Sequence, residues 1–299
     1  MYIAGIDIGG TNLKFALFDE TLNKLYSSLA KTVRGDSHAC VRQIGELISQ
    51  APHRPDIVGV GVPGAVFRST GKVNSGNLRW VGVPFGETLE EELGLPVWLD
   101  NDAQAAQAAE TLAGGSCFGI SDAVYLTLGT GVGGALLIGG KPWRGHDNAA
   151  AELGHFVTHA GGLKCACGLK GCFEMYASAA ALSRFSGGMR ARTVLDKAAQ
   201  GDSAMIEALD RYAREVAIGV CSLYMIFRPQ AIVLGGGVSA GGEVLIERVL
   251  KQIPSAYNFD AKIMAGVLRL AKCRNDAGML GAAALAKMNL TVNKPLSEE

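Results

Sequence analysis

Three groups of residues in this sequence have types and spacings that suit chemistry. The first is Asp7-Ile8-Gly9-Gly10-Thr11-Asn12, set between two apolar runs. Its glycines let successive backbone N–H groups converge on phosphate oxygens, and the Thr11 hydroxyl adds a donor. Asp7, an acid beside such a turn, is suited to orient a hydrated divalent cation. Lys14 follows on the run that leaves the turn. The same letters also describe a plain glycine hairpin. They form neither a Walker loop, since no Gly-x-x-x-x-Gly-Lys-Ser/Thr occurs, nor a dinucleotide fingerprint, since an extended run follows where a helix should. A second turn of this kind is Gly129-Thr130-Gly131, within Leu128 to Gly134, and a third is Gly235-Gly236-Gly237. Several such turns suit phosphoryl transfer, in which charge spreads over the oxygens of the moving group.

The second group is Asp100-Asn101-Asp102, ahead of an alanine-rich stretch. A carboxylate at a helix start can accept a proton from a hydroxyl held within hydrogen-bond reach. The helix N-terminus favours its ionised form and makes it a weak base, which suffices where positioning outweighs deprotonation. The run serves equally well as an N-cap. The third group is Glu152-Leu153-Gly154-His155, followed by Cys165-Ala166-Cys167-Gly168 and Gly171-Cys172-Phe173-Glu174. One histidine and three cysteines suit tetrahedral zinc, and four protein ligands leave no open position, so the site reads as structural. Glu152 and Glu174 stand at the two ends of this loop. Their carboxylates can accept from adjacent hydroxyls, although ordinary surface acids would look the same.

The elements that must position these groups alternate. Tyr2 to Ile8 and Lys14 to Phe18 predict strands around the first turn, with another near Leu25 to Leu29. Val41, Ile44, Leu47 and Ile48 have helical spacing. Ile57 to Val62 and Pro96 to Leu99 read as strands, Leu89 and Leu93 as a short helix, and Asp100 to Asp102 as a polar hinge before a helix ending near Leu112. Ala123 to Leu128 and Ala135 to Ile138 repeat the strand, glycine turn, strand layout of the N-terminus. A long amphipathic helix spans Ser203 to Phe227, with Ile206, Leu209, Ala213, Val216, Val220 and Leu223 on one face and Pro229 as its stop. Ala231 to Leu234 and Ile263 to Leu268 read as strands and Gly281 to Lys287 as a last helix, before a polar end expected to fray. With a crossover at Gly114-Gly115-Ser116, the expected domains are residues 1–116 and 117–275, the last helix, about 276–288, packing back on the first.

Composition narrows the function classes. The 28 basic and 28 acidic residues balance, so no footprint for nucleic acid or an anionic membrane follows. No run approaches the roughly 18 apolar residues that span a bilayer, and Met1 leads straight into a strand pattern without a secretory signal. Seven cysteines, three of them crowded between Cys165 and Cys172, fit a reducing cytoplasm better than a disulfide scaffold. Cys40, Cys221 and Cys273 read as core thiols, His38, His53, His146 and His159 as surface or loop residues, and Trp80 and Trp98 as packing.

The three glycine turns together resemble the phosphate and adenosine signatures of the actin-like ATPase (ribonuclease H-like) fold. The Asp100-Asn101-Asp102 run and the His-Cys₃ loop make the chain similar to ROK sugar kinases over about residues 2 to 287. The resemblance implies a two-domain α/β protein with a structural zinc loop. It implies ATP-dependent phosphorylation of a hexose or N-acetylhexosamine at the C6 hydroxyl, with ATP, Mg²⁺ and structural Zn²⁺ bound and two domains closing over the substrates. Glucose leads; N-acetylmannosamine, N-acetylglucosamine, mannose, fructose and allose are used by members with the same motifs. By this resemblance Asp102 is the catalytic base. Asn101, Asp102, Glu152, His155 and Glu174 line the sugar pocket, with Gly64 nearby and Asn77 a further candidate. His155 touches sugar with one nitrogen and zinc with the other. Asp7, Gly9, Gly10, Thr11, Asn12, Lys14, Gly129, Thr130, Gly131, Gly235, Gly236 and Gly237 serve the nucleotide, and His155, Cys165, Cys167 and Cys172 the metal. Sugar selectivity falls to Arg68–Trp80 and Lys141–Ala151. A homodimer is the usual state. A sugar-responsive ROK regulator is the alternative, but its helix-turn-helix domain would need room before Asp7. A chaperone-like ATPase of the same fold is disfavoured by Asp102 with Glu152, His155 and Glu174.

Overall fold

The computed structural model describes residues 1–67, 70–254 and 260–292. Arg68, at the start of a stretch expected to set selectivity, and the polar residues after Val292, expected to fray, lie outside the described residues. The chain forms two compact units, Met1–Leu112 with Arg144–Ala150 and the residues from Asn275 onward, and Ala113–Trp143 with Ala151–Arg274.

The first unit is built on β1 (Ile3–Ile8), β2 (Asn12–Phe18), β3 (Lys24–Lys31), α1 (Ser37–Ser49), β4 (Ile57–Val62), β5 (Ala65–Phe67), β6 (Lys72–Ser75), β7 (Trp80–Val83), α2 (Phe85–Leu93), β8 (Val97–Asn101) and α3 (Asp102–Glu110). Its main sheet runs β3-β2-β1-β4-β8. The β1–β2–β3 meander is antiparallel, whereas β4 and β8 join parallel to β1. β4 is buried at every position, as a parallel strand covered on both faces must be. α1 starts where the Asp36 carboxylate accepts the Ala39 N–H at 2.9 Å, a cap worth about 1 kcal/mol. It buries Cys40, Val41, Ile44, Leu47 and Ile48, the face that the spacing predicts.

The second unit holds β9 (Ala123–Leu128), β10 (Val132–Ile138), β11 (Lys141–Trp143), α4 (Glu174–Ala177), α5 (Ala179–Phe185), α6 (Ala191–Ala199), α7 (Ser203–Phe227), β12 (Ala231–Gly235), α8 (Gly242–Lys251), α9 (Ala261–Val267) and β13 (Leu268–Leu270). Its sheet, β11-β10-β9-β12-β13, repeats the first in both order and direction: an antiparallel meander, then two parallel strands. α7 has the predicted bounds. Asp202 caps it, Arg228 closes it in the left-handed region, and Leu209, Ala213, Val216, Val220 and Leu223 are buried. The last helix, α10 (Ala277–Val292), packs on α3, β1 and β4 of the first unit. α3 is buried from Ala103 to Glu110, so alanine suits it by size as well as by helix propensity.

Three expectations need correction. Ile263 to Leu268 is mostly helix, α9, because the Asp260 side chain caps it by accepting the Ile263 N–H. Asp100 and Asn101 close strand β8 instead of forming a hinge. Cys221 and Cys273, read as core thiols, are only half-buried.

Candidate active site

The candidates of the first unit gather at the C-terminal ends of its parallel strands. Register places Asp7 beside Gly61 and Gly61 beside Asp100, so one row across β1, β4 and β8 ends in the glycine turn on one side and Asp100-Asn101-Asp102 on the other. Open α/β sheets bind ligands at this edge. The Gly9 N–H donates to the Asn12 carbonyl at 2.9 Å, which closes the turn. Thr32 braces it from β3's end, its N–H donating to the Thr11 carbonyl and its hydroxyl to the Gly9 carbonyl. Nothing in the spacing of the sequence points to Thr32. Thr11 and Asn12 are exposed, and Gly9 and Gly10 half-buried.

Lys14 Nζ stands 2.9 Å from Asp7 Oδ2 and so offsets part of the charge that Asp7 would offer a hydrated cation. The first turn of α10 rests on the same carboxylate: a Cβ on Gly278 would sit 2.5 Å from Asp7 Cγ. That puts the positive end of a helix dipole beside the acid. Asn77 is exposed, and its Cβ lies 3.9 Å from where a Cβ on Gly10 would be, so it stands beside the phosphate turn.

Asn101 is the N-cap of α3. Its Oδ1 accepts the N–H groups of Ala103 at 2.9 Å and Gln104 at 3.2 Å, while its Nδ2 donates to the Gly64 carbonyl at 3.0 Å. An amide nitrogen has two donors, so one N–H is left for a ligand beyond the Gly64 bond. Asp102, half-buried, is the first residue of α3, and its Oδ1 accepts the Ala103 N–H at 2.9 Å. Asn101 is thus the N-cap of α3, and Asp102 stands in its first turn.

In the second unit, Gly129-Thr130-Gly131 follows β9 and Gly235-Gly236-Gly237 begins at the last residue of β12, side by side through the Thr127–Gly235 pair. The Gly129 N–H donates to the Gly131 carbonyl at 2.9 Å. Glu174 Oε2 accepts the Val132 N–H at 3.0 Å, and a Cβ on Gly131 would stand 2.2 Å from that oxygen. The loop thus needs glycine there to let the glutamate approach. The Glu174 N–H in turn donates to the Gly154 carbonyl at 2.8 Å, so the stretches around His155 and Glu174 run together. Glu152 has an exposed surface, yet protein around its carboxyl group raises its pKa above the ordinary glutamate value; His155 opposes this and Glu174 adds to it.

The donor atoms of His155, Cys165, Cys167 and Cys172 all lie within 4.8 Å of one another. His155 Nδ1 is 3.6 Å from Cys165 Sγ, and the Sγ atoms of Cys167 and Cys172 are 3.5 Å apart. Tetrahedral zinc with Zn–S near 2.3 Å sets S···S at about 3.8 Å, so the donor set fits the metal. All three thiols are free of disulfides. His155 turns Nδ1 to this cluster, which leaves Nε2 for another partner. His159, read as a loop residue, helps to dock the metal loop. Its ring stacks on Tyr176 at 3.9 Å and its Nε2 lies 3.4 Å from Glu215 Oε2 of α7.

The ROK family profile matches residues 3–289, and the chain belongs to the ROK family. It is 33% identical over 309 residues to a glucokinase of Streptomyces coelicolor, spanning 95% of this chain and 96% of that protein. It is 33% identical over 305 residues to an N-acetylmannosamine kinase of Shigella flexneri, spanning 96% and 99%. A ROK family glucokinase from Streptomyces griseus, solved in complex with glucose and AMPPNP, matches with a TM-score of 0.86 at 29% identity, covering 96% of this chain and all of that one, 100%. The fold is that of the actin-like ATPases, as the glycine turns predict. Among the described residues, no helix is long and apolar enough to cross a membrane.

Proposed function

We propose that this protein transfers the γ-phosphoryl group of ATP to the C6 hydroxyl of a hexose or N-acetylhexosamine, with glucose the first sugar to test. The observation that carries the reading is Asp102 in the first turn of α3, at the same sheet edge as the Gly9-Gly10-Thr11 turn. Support comes from relatives named for glucose and N-acetylmannosamine phosphorylation and from a structural relative holding glucose with an ATP analogue.

In this mechanism Asp102 accepts the proton of the attacking hydroxyl as the new O–P bond forms. The bond from the γ-phosphorus to the bridging oxygen breaks, and ADP leaves with its electron pair. Asn101, Glu152, His155 and Glu174 orient the sugar by hydrogen bonds, with Gly64 and Asn77 adjoining. Backbone N–H groups of Gly10, Thr11, Thr130 and Gly131 hold the phosphates, while Gly9 and Gly129 shape the two turns by spending their own N–H groups on the Asn12 and Gly131 carbonyls. Asn12, Lys14 and Gly235 to Gly237 serve the rest of the nucleotide. Asp7 would orient Mg²⁺, which supplies charge neutralisation on the phosphates. His155, Cys165, Cys167 and Cys172 would hold a zinc ion whose part is structural. The protein acts in the cytoplasm as a homodimer of two-domain subunits, without nucleic-acid or membrane partners; a monomer by light scattering would overturn the dimer.

A coupled ADP-release screen over hexoses and N-acetylhexosamines tests the reading. One or more sugars should raise ADP release well above the ATP-only rate, and no response to any sugar would refute it. In the responsive pair, Gly131→Ala should lower kcat/KM for ATP by about tenfold or more, because the new methyl displaces Glu174 and shifts the loop. Steady-state kinetics unchanged by this substitution would show that the loop's geometry is not used.

A further inference from the structure

Asp100 and Arg144 have no role in the mechanism above, yet they form an enclosed ion pair with side-chain exposures of 2% and 15%. Arg144 Nε and Nη2 donate to Asp100 Oδ2 at 3.0 and 2.6 Å. Asp100 Oδ1 accepts the Asn101 N–H at 3.0 Å. The carboxylate therefore joins a guanidinium to the backbone of the residue that caps α3 and precedes Asp102. Arg144 is itself held from behind. The chain leaves the second unit after Trp143, forms Arg144–Ala150 within the first, and returns at Ala151. Within this strap, the Ala150 N–H donates to the Arg144 carbonyl at 3.0 Å, which ties the ends together. Asn148 Nδ2 donates to the Val66 carbonyl at 3.0 Å, which pins the strap to β5.

A buried ion pair is weak evidence for stability, because apolar residues of similar volume often stabilise as well. What the guanidinium adds is direction: Nε reaches both carboxylate oxygens, Oδ2 at 3.0 Å and Oδ1 at 3.4 Å, while Nη2 meets Oδ2, so the planar group sets the orientation of the carboxylate. We infer that Arg144 is a positioning residue for phosphoryl transfer. Through Asp100 it fixes the backbone at Asn101, and with it the sugar-facing amide of Asn101 and the carboxylate of Asp102. The inference rests on the kinase reading above.

The test is Arg144→Lys, which keeps the charge and loses the planar fork, measured with the best sugar of the screen. Thermal unfolding fixes the folded fraction. The expected result is a folded protein whose kcat/KM for sugar falls about tenfold to hundredfold, with KM for ATP within about twofold of the parent. Asp100→Asn should give the same split. A sugar kcat/KM loss below about fivefold would overturn the inference, and so would a loss shared by both substrates in step with the folded fraction. Should Arg144→Lys not fold, the double variant Asp100→Asn with Arg144→Gln, a neutral pair, is measured against the same thresholds. If that does not fold either, the pair is a structural brace and the inference is overturned. A parent protein that phosphorylates no sugar would remove the kinase reading itself, a result distinct from an active parent matched by its Arg144→Lys variant.

Discussion

Asp102→Asn should lower kcat by about two to four orders of magnitude while sugar still binds with nearly its original affinity. The substitution is a clean one because the cap of α3 is Asn101, whose Oδ1 takes the Ala103 and Gln104 N–H groups. An asparagine at 102 can still accept the Ala103 N–H through its own Oδ1, as the aspartate does at 2.9 Å. The loss of a negative charge in the first helical turn costs about 1 kcal/mol or less. The fold should therefore survive, and the change should fall on proton acceptance. Turnover with sugar saturating, set beside sugar affinity by calorimetry, separates the two. Near-normal turnover would remove Asp102 from the role of base and leave it a helix-start acid.

The second large effect belongs to the metal loop. Cys167→Ser should abolish stoichiometric zinc, lower the thermal midpoint and raise KM for the sugar. A closed zinc site contributes on the order of 10 kcal/mol of apparent binding energy to local folding. The loop needs it, because residues 155–172 carry little regular structure beyond isolated pairs such as Val157 with Cys172 and Lys164 with Lys170. The effect should reach the sugar through neighbours of the ligands. His155 turns Nδ1 to the cluster, and Glu174, two residues after Cys172, is fixed on the Val132 N–H. Cys167 is the exposed ligand, so a chelator should reproduce the substitution in the parent protein. Zinc content unchanged by Cys167→Ser, measured by atomic emission, would refute the ligand assignment.

Much of this was legible in the residues, and the gaps have physical causes. α7 was readable because its apolar face repeats over many turns and Pro229 follows it. The His-Cys₃ cluster was readable because the ligand spacing is itself the signal. Ile263 to Leu268 misled because a short apolar run has no period to separate helix from strand. The small sheet of β5, β6 and β7 escaped for the same reason: each strand has three or four residues. Partners distant in sequence were invisible. Arg144 meets Asp100 across 44 positions and Glu174 meets Val132 across 42, and no local pattern encodes either. The phosphate turns lie between these extremes. Glycine announced close backbone approach, but only the structure shows that at Gly131 the approaching group is Glu174.

The central claim is that the γ-phosphoryl group of ATP ends on a sugar hydroxyl. Phosphorus NMR of the parent protein with ATP, Mg²⁺ and the responsive sugar tests it most directly. The account predicts a sugar 6-phosphate ester formed one for one with ADP, and about a hundredth as much or less formed by Asp102→Asn over the same time. ADP appearing with free inorganic phosphate and no sugar ester would contradict it.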